Sequence, residues 1–252
     1  MNDPARVLSC LALALTFVSC APAAAADLYA AQTLVTGQGP ESRAAGFAQC
    51  LREVLVKVSG NPRLADEPAV AALAEGAGDL VAGFTYRDRM AGIPVHDEQG
   101  SRDRPHVLTV AFDPGRVDRA LRDLGSEPWP EPRPVLDMRV DVRNGTSGFS
   151  LTADADRGRD MRGALEAAAE RYGMDVRLPE SNGAGPAALP LTGTLVWQPD
   201  TLGWAARWHL DDGGRGHDWA IRDVSFDAAF RSAIGGAAQI LSGNGAPVQT
   251  AR

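Results

Sequence analysis

Four prolines fall within seven residues at Pro128-Trp129-Pro130-Glu131-Pro132-Arg133-Pro134, and this cluster constrains the chain more than any other feature. Proline lacks an amide donor and biases the residue before it to extended backbone, so neither a helix nor a central strand can pass through. The cluster therefore predicts a stiff connector between two folding units. The expected division is a leader over residues 1–26, a first unit over 27–127, the connector over 128–134, a second unit over 135–243 and a disordered tail over 244–252. At roughly 100 residues, each unit is long enough to bury a small core without cross-links.

Composition narrows function mainly by exclusion. The 252 residues carry 25 Lys+Arg against 32 Asp+Glu, a net charge of −7. A protein that grips phosphates by counterion release needs a basic face, so nucleic acid is not an expected partner. Lys57 is the single lysine. Any chemistry that needs a lysine amine must use that residue, and its place in the first helix reads as a surface position.

The first 26 residues predict export. Residues 7–18 form an apolar run of the length of a signal-peptide core, well short of the roughly 20 residues needed to span a bilayer. Ala24-Ala25-Ala26 before Asp27 is a small-x-small cleavage site, whereas Phe17-Val18-Ser19-Cys20 resembles a bacterial lipobox that would leave Cys20 lipidated. Both ends stay open: a free periplasmic protein, or one anchored to the outer membrane through Cys20, the only membrane contact expected. Cleavage after Ala26 leaves Cys50 alone, with no internal disulfide possible, and its place beside the apolar arc of a helix reads as a half-buried apolar side chain.

Hydrophobic periodicity predicts an α/β chain of the α+β kind, two small units each with a mixed or antiparallel sheet packed by two or more helices. In the first unit, residues 28–35 read as a strand and 42–59 as a helix with Ala44, Phe47, Ala48, Leu51, Val54, Leu55 and Val58 inward. A weaker helix follows at 67–80, then strands at 84–90 and 107–112 around a charged loop, and a helix capped by Asp113-Pro114. In the second unit, Leu136, Met138, Val140 and Val142 alternate with Asp137, Arg139 and Asp141, the pattern of a strand exposed on one side. Asn144-Gly145 predicts a hairpin to residues 149–151. A helix over 160–172, short strands at 175–178, 191–197, 204–210 and 219–224, and a final helix capped by Ser225 complete the unit.

Four tryptophans fall between Trp197 and Trp219. Trp204 and Trp208 share a strand face, which fits cross-strand packing or an exposed aromatic surface for a partner. Trp129, set among prolines, reads as a plug holding the connector, with a partner-binding aromatic as the other reading. The possible partner surface is therefore Trp204, Trp208 and Trp129. The phosphate-loop, nucleophile-elbow, zinc-protease and Ser-x-x-Lys signatures are missing. His96 and His106 on the charged loop, and His209 and His217 with Asp211, Asp212 and Asp218 around a turn, read as solvated surface. No catalytic, cofactor or metal residues are assigned, and no cofactor is expected.

Leu51-Arg52-Glu53-Val54-Leu55-Val56-Lys57-Val58-Ser59-Gly60-Asn61-Pro62, and Phe112-Asp113-Pro114 followed by Trp129 and Arg133-Pro134, resemble the domain-of-unknown-function family numbered 2066. At fold level the second unit is similar to the amino-terminal domain of TolB. The resemblance implies an exported bacterial protein and transfers no catalytic residues. The expected function is a non-catalytic binding or assembly module of the cell envelope with a protein partner. The alternatives are a periplasmic hydrolase using carboxylates such as Asp137, Asp141 or Glu166, and a lipoprotein cofactor anchored through Cys20.

Overall fold

A computed structural model of the chain describes residues 27–92, 103–129, 131–180 and 188–247. The expected leader, with Cys20, and most of the charged loop lie outside them. The mixed α/β class holds: among the described residues, five α-helices accompany a three-stranded antiparallel sheet and a six-stranded mixed sheet.

The small sheet takes β1 (Ala30–Thr36), β2 (Val81–Asp88) and β3 (Pro105–Phe112) in the order β1-β3-β2. Alternation along β3 puts His106, Leu108, Val110 and Phe112 on the covered face, where α1 (Pro40–Ser59) packs. The expected inward set for α1 is corrected at its start. Ala44 is exposed and Gly46 is buried, because a Cβ at Gly46 would stand 2.5 Å from Leu108 Cδ2 and 2.9 Å from Val35 Cγ1. Glycine there lets the helix approach the sheet closely and turns Ala44 outward.

The last two turns of α1 are buried on every side, from Val54 to Ser59. A helix buried all round is covered on more than one face, and here the second cover is α4 (Arg159–Tyr172) of the other half. Lys57 is consequently only 6% exposed, which corrects its expected surface position. A single inward stripe does not describe this end of α1, where the continuous apolar run Val54-Leu55-Val56 meets cover on both sides.

The larger sheet runs β5 (Ser147–Ser150), β4 (Leu136–Asn144), β7 (Leu189–Gln198), β8 (Gly203–Asp211), β9 (Gly216–Val224), with the short β6 (Val176–Arg177) also pairing β4. β4 is antiparallel to β5 through the Asn144-Gly145 turn and parallel to β7. β8 and β9 continue antiparallel. The covered face carries Leu136, Met138, Val140, Val142, Leu191, Leu195, Trp208, Leu210 and Trp219, all buried. Over it lies α5 (Phe226–Leu241), paired with α4. Gly235 and Gly236 of α5 admit the Tyr172 and Trp219 rings, each of which would meet an added Cβ at 2.7 Å. In the first half α2 (Pro68–Glu75) and α3 (Pro114–Asp123) also contact α1, and Asp113 accepts from the Arg116 amide at 2.9 Å as the N-cap of α3.

The buried side chains of both halves form one hydrophobic cluster. The proline connector is pinned to it at Trp129. Trp129 donates its amide to Val58 O at 2.8 Å and its ring is partly buried against the core. The tail expected to be disordered from residue 244 is fixed at its start: Asn244 Nδ2 donates to Ser59 O at 2.9 Å, and Ala246 O accepts from Arg63 at 2.7 Å. Those bonds return the end of α5 to the end of α1.

Candidate functional site

Two places gather polar side chains. The first is the uncovered face of the six-stranded sheet. Because side chains alternate along each strand, the residues between the core positions of β4, β7, β8 and β9 all point away from α5. Register aligns Arg139, Thr192, His209 and Asp218 as one row across four strands. Ser150, Asp141, Thr194 and Arg207 form the next row. Both rows line a depression of about 600 Å³. Ser150 Oγ donates to Asp141 Oδ1 at 2.6 Å, and His209 Nδ1 lies 2.9 Å from Asp218 Oδ1.

The Ser150 hydroxyl has the Asp141 carboxylate as its partner, and the strand order brings no histidine to it. Ser150 and His209 sit three strand spacings apart, about 14 Å, far beyond the reach a proton transfer needs. Among the carboxylates of the hydrolase alternative, Asp137 pairs with Arg139 at 2.8 Å, Asp141 holds Ser150, and Glu166 is exposed on α4, on the helix side of the sheet. The three do not converge.

The second place is the junction of the two halves. Arg133, from the connector, reaches between the carboxyl ends of α1 and α4. Its Nη1 donates to Tyr172 O at 2.9 Å and Gly173 O at 3.2 Å. Nη2 donates to Lys57 O at 2.8 Å, Val58 O at 3.2 Å and Trp129 O at 3.1 Å. The carbonyls at a helix end have no partner within the helix and carry the negative end of its dipole, so a guanidinium fits there. It also lies 4.4 Å from the Trp129 ring centroid, a cation–π contact. Burial lowers the Arg133 pKa to about 10, so it stays charged at neutral pH.

Beside this clamp a cleft opens between α1, β1, α4 and α5. Lys57 donates to Ala30 O at 2.8 Å, and burial lowers its pKa despite the attraction of Glu170 and Glu53. Glu53 Oε1 lies 3.7 Å from Arg171 Nη1, and burial raises its pKa above the usual 4.5 because desolvation outweighs Arg171 and Lys57. A carboxyl raised in the folded state binds its proton more tightly there, so its contribution is present below pH 4.5 and lost as pH rises through the folded value. Glu53→Gln, which keeps the neutral form, is therefore expected to raise the urea midpoint at pH 7. The gain should disappear in titrations below about pH 4.5.

The aromatic partner surface expected from Trp204, Trp208 and Trp129 does not assemble. Trp208 is 2% exposed because it stands opposite Gly193 on the covered face and packs 6.1 Å from Phe230. Trp204 is partly buried, its ring 5.3 Å from that of Trp197, and Trp129 serves the clamp. The faces were assigned correctly from spacing, but only the strand order shows which face the helices cover. Cys50 is wholly buried rather than half-buried, and burial pushes its thiol up to about 12, which keeps it an unreactive thiol. His106 Nδ1 bonds Arg104 O at 2.8 Å inside β3, and His217 lies 3.0 Å from Asp212. No group of three metal-ligating side chains occurs among the described residues, and no helix among them is long and apolar enough to cross a membrane. Arg133 and Glu53 were missed by the sequence reading. The signal for Arg133 was a cation inside a rigid proline segment next to a tryptophan.

Comparison with known proteins corrects the family resemblance. A family model described as "Domain of unknown function (DUF8605)" matches residues 23–130, less than half of the chain. This is a different family from that numbered 2066, over the stretch where the resemblance was strongest. The physical reason is that Ser59-Gly60-Asn61-Pro62 and Asp113-Pro114 are general helix-stop and helix-start chemistry, shared by unrelated helices. No curated protein matches the chain. A solved structure titled "Crystal structure of uncharacterized protein" is similar at 14% identity and a TM-score of 0.24, covering 46% of this chain and 92% of that one.

Proposed function

We propose that this chain is an exported, non-catalytic binding module of the bacterial cell envelope that docks a protein partner on the uncovered face of its six-stranded sheet. One observation carries the reading: two cross-strand rows of hydroxyl, cationic and anionic side chains surround a 600 Å³ depression on the sheet face opposite α5. The rows offer donors and acceptors of both signs, suited to the backbone and side chains of an extended segment, and they keep the Ser150 hydroxyl about 14 Å from His209. Export is supported by the apolar run of residues 7–18 and the small-x-small site before Asp27.

Photo-activatable side chains placed one at a time at Thr194, on the open face, and at Glu166, on the helix side, test this in cells fractionated after irradiation. The expected result is one discrete protein adduct in the periplasmic fraction from Thr194 and none from Glu166. Equal labelling from both positions, or an adduct confined to the cytoplasm, would contradict the reading.

A further inference from the structure

We propose that the cleft between the two halves binds a small zwitterion of the amino-acid type, one ammonium and one carboxylate on a short apolar frame. The site lies on the helix side of the large sheet, away from the docking face, and stands whether or not that face binds a partner. Its volume is about 290 Å³, at the lower end of ligand cavities, so a metabolite of a few heavy atoms fits and a polymer does not.

The lining sets the chemistry. Three cations (Lys57, Arg171, Arg231) and three anions (Glu53, Glu170, Asp227) face the space. A neutral set of this kind favours a dipolar ligand over a simple anion or cation, because either lone charge would meet three like charges. Lys57 is a built element of the site. Its stem is buried, the residue is 6% exposed, and its ammonium uses one bond, to Ala30 O, out of three donors. The Glu53–Arg171 separation of 3.7 Å exceeds hydrogen-bond distance. A carboxylate between Lys57 and the arginines, and an ammonium beside Glu53, would complete contacts that the protein leaves long. The rest of the wall is Gln32 and four alanines, Ala31, Ala164, Ala167 and Ala168, an apolar lining that suits a short aliphatic side chain.

Isothermal titration of the protein with L-alanine, L-alanyl-L-alanine, acetate and ethylamine at low salt tests the assignment. One of the two zwitterions should bind at a single site at least about tenfold more tightly than acetate or ethylamine. Ala167→Leu, at an exposed helix position that fills the cleft, should abolish that binding with the urea midpoint unchanged. Lys57→Met, which keeps the buried stem and removes the charge, should weaken it by about tenfold or more. No heat from either zwitterion, tighter binding of acetate or ethylamine, or zwitterion binding that survives Ala167→Leu would each overturn the proposal.

Discussion

Replacing Arg133 with methionine is expected to lower the free energy of unfolding by about 3 kcal/mol. Methionine retains much of the apolar stem but removes the guanidinium donors from the carbonyls of Lys57, Trp129, Tyr172 and Gly173, while Val58 O keeps the Trp129 amide. Apart from Trp129, those groups lie at the carboxyl ends of two helices from different halves, whose last carbonyls have no partner within the helix. Arg133→Lys should lose about half as much, since an ammonium keeps the charge but cannot fork between two helix ends. Urea unfolding followed by tryptophan fluorescence reads both changes. A loss below about 0.5 kcal/mol in the methionine variant would mean that the clamp acts as a surface contact and that apolar packing and the other bonds between the halves hold them.

Gly193→Ala should destabilise by a similar amount through the opposite effect, excess volume. A Cβ at Gly193 would stand 2.1 Å from Cε3 and Cζ3 of Trp208 and 3.2 Å from Arg207 O. Gly193 is on β7, between β4 and β8, and Trp208 is packed against Phe230, so neither backbone nor ring has space to yield. Overpacking of this kind costs about 3 kcal/mol. The double variant Gly193→Ala with Trp208→Phe should lie closer to wild type than the sum of its singles predicts, because the smaller ring vacates the space that the new methyl needs. Additive losses would show that the two sites do not share that space.

Local structure was legible in the sequence wherever one residue's chemistry decides it. The alternation from Leu136 to Val142 gave the correct buried face of β4, and Met161, Ala164, Leu165, Ala168 and Tyr172, spaced at helical intervals, are the buried residues of α4. Asn144-Gly145 and Asp113-Pro114 act as the turn and the cap that their side-chain and backbone preferences dictate. What the pattern missed depends on partners distant in sequence. Lys57 is buried because α4, about 100 residues later, covers the second side of α1. The parallel pairing of β4 with β7 is non-local in the same way, and it decides that Arg139 and Thr192 become neighbours. Arg133 looked like part of a spacer, yet its acceptors come from residues 57, 58, 129, 172 and 173. Periodicity therefore located the open face but not the rows on it.

The most direct test of the open-face account is a charge reversal of both rows, Arg139→Glu together with Arg207→Glu. Both side chains point away from the core, so the urea midpoint should stay close to that of wild type. The adduct formed from a photo-activatable residue at Thr194 should be lost in the same variant. An adduct of wild-type intensity in a normally folded double variant would contradict the claim that these rows dock the partner.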